Sequence, residues 1–233
     1  TIRPCRILRA FLHGSRCGRR TGPAGLWSTM VAMPIANTTH LLGLQPHPAL
    51  PAPEGISVVA GAEPLPGGGL RLGYVIHGAA DALARILIPE SGTQIRADGL
   101  WQRTCCEAFV GVPGTTAYRE FNFSPSGAWA AYAFSNYRKS AALPLGPVPP
   151  IAFVPAAGTL TLATTLAAGW LPRSPLLCLG LSVVVETCDG ERSYWALAHP
   201  VAQPDFHHRD GFTQTLEMRH EQQRFDEHPE IRT

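Results

Sequence analysis

No run of eighteen apolar residues occurs in this 233-residue chain, so no segment reads as a helix that crosses a membrane. No C-x-x-C pair occurs, which removes the commonest zinc spacing. Neither Ser124 nor Ser126 stands in a G-x-S-x-G elbow, so the usual serine-hydrolase turn is missing. Gly67–Gly68–Gly69 has no following Lys and no following helix, which removes a phosphate-binding loop. No internal repeat of 20–50 residues is visible, which argues against propellers and solenoids. Helical periodicity is almost absent, and charged residues make up only 15% of the chain.

What charge there is lies unevenly. Residues 1–32 hold six arginines (Arg3, Arg6, Arg9, Arg16, Arg19, Arg20) and no acid. The rest keeps 13 of the 19 basic residues against all 17 acids, so the body carries a net charge of −4 although the whole is +2. A mildly acidic body gives no electrostatic case for nucleic acid. The arginine-rich segment has the composition of a targeting peptide, but its apolar residues are interrupted. It lacks the Lys and interleaved aromatics of a nucleic-acid arm. Residues 1–36 are therefore expected to be a disordered basic extension, with Met30 and Met33 as candidate starts. A domain is expected over 37–219, and a charged tail over 220–233.

The domain is rich in turn formers and alternation. With 23 Gly and 22 Pro, the composition suits many short strands. Leu70, Leu72, Tyr74 and Ile76 fall on one side of a strand, as do Leu160, Leu162 and Leu166. Strands are expected near 104–111, 117–124 and 128–135, and residues 140–150 are expected as a Pro-rich loop. Leu177, Leu179, Leu181, Val183 and Val185 alternate up to Asp189–Gly190, a tight-turn pair, after which 194–199 returns as a hairpin. A last strand falls near 212–218. About ten short strands without helices predict an all-β antiparallel sandwich.

Six cysteines do not form a disulfide framework. Cys105 and Cys106 are adjacent in a strand and face opposite ways, while Cys178 and Cys188 flank the hairpin and are the one pair expected to approach each other. Buried thiols in a reducing compartment, hence a cytoplasmic location, are the expectation.

The stretch Asp98–Arg138 carries the candidate site. Phe121 and Phe123 point one way in their strand, and Tyr118, Glu120, Asn122 and Ser124 the other. A sheet face bearing Tyr, Glu and Asn is a candidate binding surface. Trp101, Trp129 and Tyr132 are candidate stacking platforms, with burial in the core as the competing fate of such rings. Glu107 lies in an apolar strand and needs a partner: Arg103 or Arg119 on the structural side, a ligand hydroxyl or cation on the functional side. In Pro204–Asp210, His207 and Asp205 are expected to fix a loop in preference to holding a metal. No nucleophile with its base emerges, so a ligand-binding, non-enzymatic role is expected.

The runs Leu100–Val110 and Tyr118–Trp129, with Trp195–Pro200 and Pro204–His207, resemble bacterial DOMON-like proteins, relatives of the family-nine carbohydrate-binding modules. The resemblance covers about Leu41–Glu217. It implies an immunoglobulin-like or jelly-roll sandwich that binds sugars or haem, with the strands of Glu107 and of Tyr118–Ser124 flanking the pocket. Haem-binding relatives use Met with His or Lys as axial ligands; here only Met218 lies beyond the candidate starts, with His207 or His199 as the other donor. The expected ligand is a small molecule, a sugar, with no cofactor; haem b is the alternative, and a protein-binding sandwich the second alternative. The expected ligand-binding set is Trp101, Glu107, Tyr118, Glu120, Asn122, Trp129, Tyr132 and His207.

Overall fold

The computed structural model describes residues 40–144 and 146–218. The expected basic extension and the charged C-terminal tail lie outside the described residues.

Among the described residues, twelve strands pair wholly antiparallel with one another: β1 Leu42–Pro46, β2 Ile56–Pro64, β3 Leu70–Gly78, β4 Cys105–Gly111, β5 Tyr118–Phe123, β6 Trp129–Asn136, β7 Lys139–Ala141, β8 Ile151–Ala156, β9 Thr159–Leu166, β10 Leu176–Glu186, β11 Arg192–Ala196 and β12 Gln214–Glu217. One helical turn, α1 Ala80–Leu83, follows β3. The strand order is β7-β6-β5-β4-β10-β11-β1-β2-β3-β9-β8, with β12 pairing the first half of β10.

This continuous ribbon folds over at β1 into a β-sandwich. Leu42–Leu44 of β1 pair with β2, while Gln45 and Pro46 pair with β11, so the strand passes from one sheet to the other. The first sheet holds β2, β3, β9 and β8; the second holds β7, β6, β5, β4, β10, β11 and β12. Burying both inner faces against each other is what a two-layer β domain requires.

The alternation read from the sequence fills that interior. Leu70, Leu72, Tyr74 and Ile76 of β3 meet Cys106, Ala108 and Val110 of β4, Phe121 and Phe123 of β5, and the five alternating residues Leu177–Val185 of β10. Tyr74 reaches across and donates its hydroxyl to the Glu107 carbonyl at 2.9 Å, which satisfies an otherwise costly buried O–H. The β10–β11 hairpin forms where expected, with Gly190 N–H donating to Thr187 O and Thr187 N–H to Glu191 O.

Two expectations give way. The 140–150 passage is not all loop, since β7 occupies Lys139–Ala141 and β8 begins at Ile151 just beyond it. No disulfide joins the described cysteines, as expected, but Cys178 and Cys188 do not approach each other: Cys178 lies near the start of β10 and Cys188 beyond its end, ten residues on, or roughly 30 Å of extended chain.

Candidate functional site

Because side chains alternate, the strands that line the core also present a second set outward. On the outer face of the second sheet stand Glu107 and Phe109 from β4, Tyr118, Glu120 and Asn122 from β5, Tyr132 and Phe134 from β6, Val184 from β10 and Tyr194 from β11. The register places Glu107 directly opposite Asn122 on one side and Ser182 on the other. Glu120 is opposite Phe109 and Tyr132. Glu107 and Glu120 are therefore diagonal neighbours on one face, within reach of each other's field.

The segment from Leu197 to Phe212 folds over this face. It lies close because two strand positions beneath it lack side chains. A Cβ at Gly111 would fall 1.9 Å from the Arg209 guanidinium, and one at Gly180 would come within 3.0 Å of the Phe212 ring. Phe206, His207 and Phe212 pack on Phe109 and Tyr118, forming a small aromatic cluster separate from the main core. His207 is the polar centre of that cluster, edge-on to Phe109 at 5.2 Å and to Phe134 at 5.1 Å.

Between sheet and segment opens a cavity of about 730 Å³. Glu107, Phe109, Glu120, Tyr132 and Phe134 form its floor, Phe206 and His207 one wall, and Trp101 the rim. Trp101 is 49% exposed. It is carried on a single 3-10 turn launched from Gly99, whose φ of +74° is the left-handed conformation glycine adopts without strain. Polar contacts brace other lining residues. Arg138 meets Asp205 at 2.9 Å, and Tyr137 donates to the same carboxylate at 2.7 Å. Tyr132 donates to Asp98 at 2.8 Å, with Arg96 over its ring.

The polar groups form a chain. Asn122 donates to Glu120 Oε1 at 2.9 Å, and Glu120 Oε2 faces His207 Nε2 at 3.6 Å, too far for a hydrogen bond. The Tyr118 oxygen accepts the Arg138 backbone N–H at 3.0 Å and lies 2.9 Å from His207 Nδ1.

Burial governs the titration of these groups. Burial, and then the charge of Glu120, push the Glu107 carboxyl well above its usual range. Burial raises Glu120 as well, opposed by its bond from Asn122 and by Arg138. For His207, burial and the nearby Arg138 charge lower the pKa to about 4 despite Asp205, so the ring is neutral near pH 7.

Of the eight expected residues, Trp101, Glu107, Glu120, Tyr132 and His207 line the cavity. Tyr118 and Asn122 stand behind them, orienting His207 and Glu120. Trp129 is a correction. It is 7% exposed, pairs with Phe123, and packs on Trp170 in the core with ring centroids 5.8 Å apart. Trp129 and Tyr132 are three residues apart in one strand, so they must face opposite ways. The suggested structural partners of Glu107 are also engaged elsewhere: Arg103 pairs with Glu186 at 2.9 Å, and Arg119 donates to the Trp170 carbonyl. Asp205 fixes its loop by accepting the His207 backbone N–H, not by holding the imidazole. Met218 is buried in the core cluster, outside the cavity, so the described residues supply no Met/His axial pair there. Phe109, Phe134, Arg138, Tyr194 and Phe206 join the cavity without having been singled out; the outward phase of Glu107 in β4 and of Tyr132 in β6 identifies the first two.

No protein-family model matches the chain, and no curated protein matches it in sequence. Among solved structures it is similar to a candidate carbohydrate-binding protein from Bacteroides uniformis. That match has a TM-score of 0.53 and 14% identity, covering 76% of this chain and 86% of that one. A family-nine carbohydrate-binding module from Caldicellulosiruptor kristjanssonii in complex with glucose aligns with a TM-score of 0.46 and 7% identity, over 78% of this chain and 87% of that one. At such identities the first likeness speaks to the sandwich fold.

Proposed function

We propose that the protein is a non-catalytic ligand-binding sandwich whose outer-face cavity takes a carbohydrate. The make-up of the cavity supports this: an exposed indole, Trp101, at the mouth of a space of about 730 Å³ with aromatic walls and two buried carboxylates in its floor. The volume falls in the range of small-molecule sites, which combine an apolar surface with a few oriented polar groups. Sugar rings present C–H faces that stack on Trp101, while Glu107 and Glu120 accept hydroxyl protons and Arg138 donates. The fold likeness to a Bacteroides uniformis protein described as a candidate carbohydrate binder points the same way.

The test is isothermal titration of mono- and oligosaccharides into the protein and into Trp101→Ala. At least one sugar is expected to bind, with affinity falling about tenfold in the variant, or about 1.4 kcal/mol. Absence of binding across the whole sugar panel would overturn the proposal.

A further inference from the structure

Four described acids have side chains shielded from solvent: Glu107, Glu120, Glu186 and Asp205. Two of them hold an arginine within ion-pair distance, Glu186 with Arg103 and Asp205 with Arg138, each at 2.9 Å. The fold thus gives an arginine to two of its shielded carboxylates and leaves the other two without one. Glu107 has no ion-pair partner among the described residues, and Glu120 has only His207, whose ring is neutral near pH 7. These two exceptions are neighbours on one sheet face, and both line the same cavity.

The shortfall is sharpest at Glu107. Its residue is 2% exposed, and its Oε1 atom has no hydrogen-bond partner in the protein. A buried carboxylate oxygen left without a donor costs free energy that a bound cation would recover. The cavity it opens onto is also lined by Phe109, Tyr132, Phe134, Tyr194 and Phe206. Aromatic rings suit an organic cation, and the described residues hold no group of three His, Cys, Asp or Glu for a metal ion.

Building on the carbohydrate reading, we propose that the sugar this cavity takes carries a protonated amine, which sits between Glu107 and Glu120 while its ring stacks on the aromatic walls. The ammonium supplies the cation that arginine provides to the other two shielded acids. A neutral sugar offers only hydroxyl protons to the same oxygens and brings no charge to Glu107. Acetylating the amine removes both its charge and the fit.

The experiment is calorimetric titration of D-glucosamine, D-glucose and N-acetyl-D-glucosamine at neutral pH. The protein is compared with the isosteric variants Glu107→Gln and Glu120→Gln. Glucosamine is expected to bind at least tenfold more tightly than either neutral sugar, with that preference collapsing to about threefold or less in each variant. Glucose binding as tightly as glucosamine overturns the amine assignment and leaves the carbohydrate reading standing. Binding of none of the three, nor of any larger sugar, overturns both. A preference for glucosamine that survives in both variants also overturns the assignment, because the charge would then be read elsewhere. The comparison among the three sugars uses only the unaltered protein, so it decides the question even where a variant folds poorly.

Discussion

The two faces of the second sheet are built from the same strands and differ in almost every physical respect. Inward, β4, β5, β6 and β10 present Cys106, Ala108, Val110, Phe121, Phe123, Trp129, Ala131 and the five apolar residues Leu177–Val185. Outward, one residue along in each strand, stand Glu107, Phe109, Tyr118, Glu120, Asn122 and Tyr132. Both sets are shielded from water, but only the outward one carries carboxylates. Glu107 Oε1, Asn122 Oδ1 and Ser182 Oγ, side by side across three outward strand positions, have no protein partner. The inward set leaves one such group, Trp129 Nε1, among packed apolar side chains. A polar face with unmet hydrogen bonds is complete only with something else bound, and this is the difference between a core and a site.

The most disruptive way to break this comparison is through the inner face. Trp129→Ala removes a ring packed on Trp170 and leaves a cavity between the sheets, with an expected loss of about 3–5 kcal/mol. For a domain of this size that lowers the thermal midpoint by roughly 10 °C, measurable by calorimetry. A midpoint shift under about 2 °C would put Trp129 on the ligand side after all.

His207 links the outer face to pH. Its pKa in the fold lies at about 4, below the ordinary 6.5, so the folded state resists taking up the proton that the unfolded chain accepts. The stability tied to neutral His207 is present in full above pH 6.5 and is lost as pH falls towards about 4. His207→Gln removes that dependence. The difference in unfolding free energy between protein and variant should shrink by about 2–3 kcal/mol as pH is lowered through this window. Denaturant titrations at three pH values check it. A difference that stays constant would mean His207 is solvated and titrates normally.

Glu107 gives an effect of opposite sign. Its carboxyl is held above the usual range, so the folded state holds the proton more tightly than the unfolded one. The corresponding stability is present below the ordinary carboxylate pKa and is lost as pH rises towards the folded value. Glu107→Gln keeps the shape of the neutral acid and escapes that loss. In ligand-free protein the variant is expected to be more stable than wild type at mildly alkaline pH, with the gain vanishing near pH 4. A variant less stable at every pH would show that an ionised Glu107 supports the fold.

How much of this was legible depended on whether a residue's role was local. Alternation in β3, β4, β5, β9 and β10 announced both the sandwich and its core because strand parity is a property of the chain itself. Parity also contained the answer for Trp129: its spacing of three from Tyr132 forbids a shared face. β7 and β8 were not legible. Lys139–Ala141 is exposed throughout, and Ile151–Ala156 contains Pro155 at the sheet edge, so neither shows a clean apolar period. The cavity wall was beyond reach for another reason. Arg138 and Asp205 meet across 67 residues, and Phe206 and His207 reach the sheet only because Gly111 and Gly180 leave room for their segment. No local pattern encodes those meetings.

Trp101 should show the smallest effect on stability and the clearest separation of site from core. Its ring stands at the cavity mouth on a three-residue turn and is half exposed, so its removal takes little apolar area out of contact. Trp101→Ala is expected to change the unfolding free energy by no more than about 0.5 kcal/mol, as for exposed positions generally. Set beside Trp129→Ala, the pair exchanges the same residue type on opposite sides of one sheet, one losing stability and the other losing ligand. If Trp101→Ala proved as damaging to the fold as Trp129→Ala, the rim would be part of the packed structure, and the outer face would have to bind without its indole.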